Sequence, residues 1–131
     1  MCGRYSIVIE PEKIVNQFGV PIDLPTEGLP VNYNVAPTQA GLVLTDAQPD
    51  RFSVFRWGLV PFWAKDIKIG SRMINARSEG IETKPSFRDP VRKKRCLVIA
   101  DSFYEWKKEG LAKQPYRIMP TNASLLIMAG I

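Results

Sequence analysis

The chain has 131 residues, 18 Lys and Arg against 13 Asp and Glu, a net charge of +5, two Cys and no His, a length that suits one domain with a single modest core. Without imidazole it cannot by itself build a Ser-His-Asp triad, a Cys-His dyad or a His-bearing zinc site. Cys2 and Cys96 stand far apart with no CxxC pair, which argues against a metal knuckle or a disulfide framework and for a reducing compartment.

Tyr5 to Ile9 reads as a strand. Pro11 to Phe18 reads as a short helix, with Pro at its start, Ile14, Val15 and Phe18 on one face, and Gly19 as its stop. The stretch from Tyr33 to Gln39 reads as a loop with a rigid tip at Pro37. Leu42 to Thr45, Phe52 to Trp57, Cys96 to Ala100, Phe103 to Lys107, Tyr116 to Met119 and Leu125 to Ala129 are short, rich in β-branched or aromatic residues, and predicted to be strands. Ser78 to Lys94, interrupted by Pro85 and Pro90, has room for one or two short helical turns. No repeat or low-complexity linker divides the chain, so residues 1–131 are expected to form one α+β domain. The final apolar run from Leu125 to Ile131 lacks a polar cap, which suggests a strand left open at its edge and a domain that is incomplete at its C-terminus.

No apolar run approaches the roughly 20 residues of a membrane span, and the N-terminus lacks the layout of a signal peptide. A cytoplasmic protein with no membrane partner is expected. Charge is unevenly placed: residues 1–64 carry 4 basic and 6 acidic side chains, and residues 65–131 carry 14 and 7. Either the second half faces a polyanion or it is simply a solvated basic surface.

The candidate chemistry begins with Met1-Cys2-Gly3-Arg4-Tyr5. A small second residue permits removal of Met1, which leaves Cys2 with a free α-amine beside its thiol. An α-amine titrates at about 7.7 to 8.0 and a thiol at about 8.5, so neutral amine and accessible thiolate coexist near neutral pH. Such a terminus condenses with an aldehyde to a Schiff base, and the sulfur then closes a five-membered thiazolidine. The alternative is an incidental Cys at a frayed end.

In Cys96 to Trp106 a buried-type strand, a turn at Asp101-Ser102 and a second strand follow one another. Alternation puts Phe103 and Glu105 on one face, where apolar surroundings are expected to raise the carboxyl's pKa and suit it to proton transfer. An edge-strand glutamate paired with Lys107 or Lys108 is the other reading, and Cys96 reads as a small core residue. In Ile74-Asn75-Ala76-Arg77 an amide able to orient a ligand and a guanidinium able to hold phosphate share a face if the backbone is extended; an ordinary capped loop is the alternative. In Arg56-Trp57-Gly58-Leu59-Val60-Pro61-Phe62-Trp63, Trp57 reads as core and Trp63 as either an exposed stacking platform or a core residue.

Taken together, the Met-Cys-Gly-Arg-Tyr start, Tyr33-Asn34-Val35-Ala36-Pro37, Arg56-Trp57-Gly58-Leu59-Val60-Pro61, Ile74-Asn75-Ala76-Arg77 and Phe103-Tyr104-Glu105-Trp106 resemble, in order and spacing, the SOS-response-associated peptidase (SRAP) family. The resemblance implies a barrel-like mixed β-sheet flanked by short helices. It also implies a sensor of abasic sites in single-stranded DNA, nucleoid-associated when bound, that forms a thiazolidine crosslink through Cys2 once Met1 is removed. On that resemblance Cys2 is the nucleophile, Asn75 the amide near the sugar and Glu105 the acid-base carboxylate. Arg4 and Arg77 match phosphate contacts, Pro37 and Trp63 match the elements that part the bases, and Asn34, Lys84 and Trp106 are counted with them as DNA-binding candidates. No cofactor or metal is implied. Family members continue beyond a stretch like Met128 to Ile131 and supply there a His-Asp-Arg motif, so two expectations stand together. One is a crosslinking enzyme; the other is a non-catalytic single-stranded DNA binding module, with self-association through the open edge of the C-terminal strand.

Overall fold

Eight short strands, too narrow to be stable singly, pair into two four-stranded sheets that bury one shared set of apolar side chains. A computed structural model describes residues 2–19, 21–25, 28–122 and 124–131. The strands are β1 (Arg4–Ile7), β2 (Asn32–Val35), β3 (Ala40–Thr45), β4 (Gln48–Arg56), β5 (Cys96–Ala100), β6 (Ser102–Glu109), β7 (Ala112–Ile118) and β8 (Leu126–Gly130). One sheet runs in the order β2-β1-β6-β7 and the other β4-β3-β5-β8. Every ladder between these strands is antiparallel, and neither sheet closes on itself. The class is α+β as expected, and the barrel-like sheet takes the form of two facing layers.

Helix α1 (Pro11–Phe18) has the predicted bounds, with Pro at its first position and Gly19 ending it in the left-handed region at φ 68°. Only part of its expected apolar face is used. Ile14 is buried and Phe18 packs on the core with its ring edge toward Phe52, whereas Val15 is 51% exposed because a step of 100° turns it away from the sheets. Tyr33–Val35, expected as part of a loop, lies instead in β2, because Val35 opposite Tyr5 supplies one buried apolar contact to β1. Within the segment 78–94 the helix is the single turn α2 (Pro90–Lys93), preceded by hydrogen-bonded turns. A 3-10 helix over Ile67–Arg72, which no local pattern signals, is capped by the Asp66 carboxylate accepting from the Lys68 amide at 2.8 Å. No helix among the described residues is long and apolar enough to cross a membrane.

The core takes Tyr5, Ile7 and Val35 from the first sheet, Leu42, Leu44, Phe52 and Ile99 from the second, and Ile14 from α1. Each such side chain withdrawn from water contributes about 1.5 to 3 kcal/mol before conformational entropy is counted. Tyr5, 2% exposed, reaches from β1 across the layers until its hydroxyl rests on Gly41 of β3. β8 pairs on one side with β5 and lies at the edge of its sheet.

The chain passes from the second sheet to the first through one residue, Asp101, between the end of β5 and the start of β6. Its carboxylate accepts from the Val8 amide (2.8 Å), the Ser6 hydroxyl (2.9 Å) and the Arg117 guanidinium (2.6 Å). Ser6 and Ser102, both fully buried, are hydrogen-bonded to each other, and Arg117 also donates to Ser102 at 2.8 Å. Burial alone would raise the carboxyl's pKa, but the Val8, Arg117 and serine donors together outweigh it and hold Asp101 below the ordinary carboxylate value. The lowered pKa means the folded state favours the charged form. The clamp is therefore fully present above pH 3.8 and is lost as the pH falls through the lowered value. Urea unfolding followed across the acid range should show this loss, and Asp101→Asn, destabilised at neutral pH by about 1.5 to 3 kcal/mol, should lack it.

Candidate functional site

β1 pairs Arg4 with Tyr104 and Tyr5 with Phe103. The residues just ahead of Arg4 therefore run beside Glu105, the next residue along β6. Cys2, half-buried, packs against the core, and its thiol donates to the Arg4 carbonyl at 3.1 Å. Burial pushes the Cys2 thiol up from its ordinary value. The backbone of Arg4 pulls part of this back, and the nearby negative charge of Glu105 adds to the rise. Tyr5 lies against the same corner, its phenol pushed up to about 12 by burial and by Cys2. Sulfur and carboxylate are thus electrostatic neighbours on an interior strand pair, and Glu105 is half-buried there rather than on a sheet edge.

Asn75 reaches this corner from the opposite direction. Its side-chain amide donates to the Cys2 carbonyl at 2.8 Å. Two anchors hold the backbone that carries it: the Leu59 amide donates to the Met73 carbonyl at 3.0 Å, and the Trp57 indole N–H donates to the Ile74 carbonyl at 2.9 Å. Trp57 in turn meets Tyr5 edge to face, with ring centroids 5.1 Å apart. Gly58 makes the close approach possible. Its φ is 131°, and a β-carbon there would overlap the Gly70 carbonyl.

Pro37 sits in the turn after β2, which is tied to the same tryptophan. Thr38 donates its amide to the Trp57 carbonyl and the Trp57 amide donates to the Gln39 carbonyl, both at 2.8 Å. The Gln39 side chain accepts from the Ala36 amide at 2.8 Å. Thr38, at φ 76°, is the one non-glycine with positive φ among the described residues, an unfavourable conformation for a β-branched residue that the surrounding hydrogen bonds hold in place. Asn34 lies exposed on β2, and the Tyr104 hydroxyl donates to the neighbouring Tyr33 carbonyl at 2.9 Å.

The structure therefore brings Cys2, Asn75 and Glu105 to one corner, with Pro37 joined to it through Trp57. Arg4 turns its guanidinium back to the Gly3 carbonyl at 2.9 Å. Arg77 and Lys84 are exposed and Trp63 is 49% exposed; no hydrogen bond or ion pair among the described residues ties them to the corner. Trp106 is exposed and, by strand alternation, lies on the face opposite Glu105. Met1, expected from the sequence to be removed, lies outside the described residues. Trp57 does more than fill the core, the role its sequence context suggests; the signal for its wider part is its indole N–H, a donor that needs an acceptor once buried. No cluster of three or more His, Cys, Asp or Glu able to hold a metal occurs among the described residues.

Chemically, the corner offers a thiol that is mostly protonated at neutral pH, a carboxylate whose charge reaches it, and an amide that fixes the backbone next to the sulfur.

Comparison with known proteins extends over the whole chain. It is 46% identical to the abasic site processing protein YoqW of Bacillus subtilis over 133 residues, covering 100% of this chain and 59% of the relative. It is 32% identical to the abasic site processing protein YedK of Escherichia coli over 135 residues, again all of this chain and 59% of the relative. A crystal structure of a protein from Bacteroides thetaiotaomicron superposes with a TM-score of 0.79 at 31% identity, over 98% of this chain and 58% of that one. The chain thus spans about three fifths of the length of these relatives. The model of the family described as SOS response associated peptidase matches residues 1–131, and with relatives at this identity the chain belongs to the SRAP family.

Proposed function

We propose that this chain processes abasic sites in single-stranded DNA, as part of a DNA-damage (SOS) response, by covalent capture of the opened sugar through Cys2. The observation that carries the reading is the convergence on one corner of Cys2, the Asn75 amide at 2.8 Å from its carbonyl, and the Glu105 charge acting on its thiol. The names of the relatives, abasic site processing proteins in both Bacillus subtilis and Escherichia coli, support the substrate.

Hydrolysis of the Met1–Cys2 peptide bond, which consumes one water, frees the α-amine; this is the peptidase step. The amine adds to the sugar aldehyde, and loss of water leaves a Schiff base. The Cys2 sulfur then forms a bond to the same carbon while its proton leaves, and the ring nitrogen gains a proton, closing the thiazolidine. Capture as a whole releases one water from aldehyde and aminothiol. Because burial keeps the thiol protonated, the closing step needs a base at hand, and Glu105 fills that role. Asn75 holds the Cys2 carbonyl and so fixes the direction from which amine and sulfur meet the sugar. Arg4 and Arg77 are assigned to phosphate, and Pro37 and Trp63 to parting the bases.

Glu105→Gln should slow crosslinking of an abasic oligonucleotide by about 10²- to 10⁴-fold while binding of intact single-stranded DNA is retained. Equal loss of both would make Glu105 structural. A second reading, a DNA-binding module without turnover, draws on the excess of cations after residue 64. An adduct that survives denaturing electrophoresis excludes it.

A further inference from the structure

Six of the chain's cations, Lys84, Arg88, Arg92, Lys93, Lys94 and Arg95, fall within twelve residues that contain one acid, Asp89. Arg95 is occupied by Asp46 at 3.5 Å. Arg88, Arg92, Lys93 and Lys94 are all exposed and make no ion pair among the described residues. They are held in place rather than trailing in a loop: Arg88 donates its amide to the Lys84 carbonyl (2.9 Å), Val91 to Phe87 (2.9 Å), Lys93 to Asp89 (3.0 Å) and Lys94 to Pro90 (2.8 Å). Like charges four residues apart on helical turns, as in Arg88 and Arg92, destabilise the segment by about 0.2 to 0.5 kcal/mol per pair. The fold itself gains nothing from this clustering.

What lies beside the cluster identifies its partner. α2 forms one wall of a cleft of about 90 Å³, where Pro90, Lys93 and Lys94 face Val60, Pro61 and Phe62. Asp89 and Ser86 lie on the same wall as the lysines. Phe62 is 84% exposed, a large apolar ring left in water at the rim of this cleft. It stands beside Trp63, in the segment that begins with Trp57 at the Cys2 corner. A row of cations next to an exposed aromatic is the composition of a surface for single-stranded nucleic acid, where phosphates meet the charges and a base meets the ring.

Building on the proposed function, we infer that Arg88, Arg92, Lys93 and Lys94 form a second DNA contact, which takes the phosphate backbone of the strand flanking the captured site after it has passed Phe62. The partner is a single-stranded polyphosphate, and the contact is independent of sequence.

The test uses the chain with Cys2→Ala, so that binding is read without chemistry, and a fluorescein-labelled oligothymidylate across a range of salt concentrations. Adding Arg92→Gln, Lys93→Gln and Lys94→Gln should reduce the slope of log K against log salt by about 2, since each phosphate contact on a single strand contributes about 0.7. A control that removes three charges from the β6–β7 hairpin, Lys107→Gln, Lys108→Gln and Lys113→Gln, should leave the slope nearly unchanged. The double variant Lys93→Arg, Lys94→Arg should keep it, and unfolding midpoints of all variants establish that each is folded. An unchanged slope in the α2 variant overturns the inference while leaving the Cys2 reading intact, and so does an equal reduction in the hairpin control. A Cys2→Ala chain that fails to bind the oligothymidylate at all overturns both.

Discussion

Cys2→Ala will leave no adduct with an abasic oligonucleotide after denaturing electrophoresis, under conditions where the unaltered chain is shifted in mass by the DNA it carries. The expectation is this severe because the mechanism asks two things of one residue. The amine is a backbone group that survives the substitution, so a Schiff base still forms, but it remains open to hydrolysis without the sulfur that closes the ring. Borohydride, which reduces a Schiff base to a stable amine, should therefore trap the Cys2→Ala chain on DNA even though the spontaneous crosslink is gone. A chain carrying an extra residue ahead of Cys2 that is not removed has the thiol and an α-amine on different residues, cannot close the five-membered ring, and should give no spontaneous crosslink. A Cys2→Ala chain that crosslinks as well as its parent would remove the thiazolidine mechanism altogether. The raised thiol pKa adds a pH signature. Ring closure without a base would need thiolate and would accelerate with rising alkalinity. With Glu105 taking the proton, the closing step should not follow the thiolate fraction, and Glu105→Gln should restore that dependence.

Gly58→Ala should destabilise the chain by about 2 to 5 kcal/mol, a large fraction of the roughly 5 to 15 kcal/mol typical of a domain. Two independent costs combine. At φ 131° an L-residue is strained whatever surrounds it, and the added methyl would occupy the space of the Gly70 carbonyl. Either Gly58 changes conformation or the 3-10 helix over Ile67–Arg72 moves away, and each response loosens the anchors at the Met73 and Ile74 carbonyls that carry Asn75. Crosslinking should consequently fall in the fraction that remains folded. Denaturant unfolding gives the stability loss, and crosslinking measured well below the unfolding midpoint separates displacement of Asn75 from simple unfolding. A Gly58→Ala chain as stable as its parent would show that the close approach of these two segments is not needed.

Much of the site is legible in the sequence because its parts carry their chemistry locally. Cys2 needs only its position next to Met1 to become an aminothiol, and the strands around Ile99 and Phe103 stand out as short runs of apolar, β-branched or aromatic residues. Helix α1 is marked at both ends, by Pro11 and by Gly19. β2 does not announce itself, because Asn32–Val35 contains two Asn and a single buried side chain; pairing with β1, at a distance in sequence, outweighs weak local preference. Val15 departs from its expected face because Ile14, Val15 and Phe18 are three apolar residues within five, while contact with the sheets is wide enough for two.

Which chemical groups exist can be read along the chain: an aminothiol precursor at Cys2, a carboxylate at Glu105, an amide at Asn75, and an excess of cations after residue 64. That the first three meet is a result of folding. The contact of Asn75 with Cys2 spans 73 residues, and it depends on a β1–β6 register, a glycine close approach at Gly58 and an indole bond at Trp57, whose partners all lie far away in sequence. Local preferences follow from neighbours within a few residues, whereas a site assembled from distant segments depends on how the two sheets pack, and that is settled by the core as a whole.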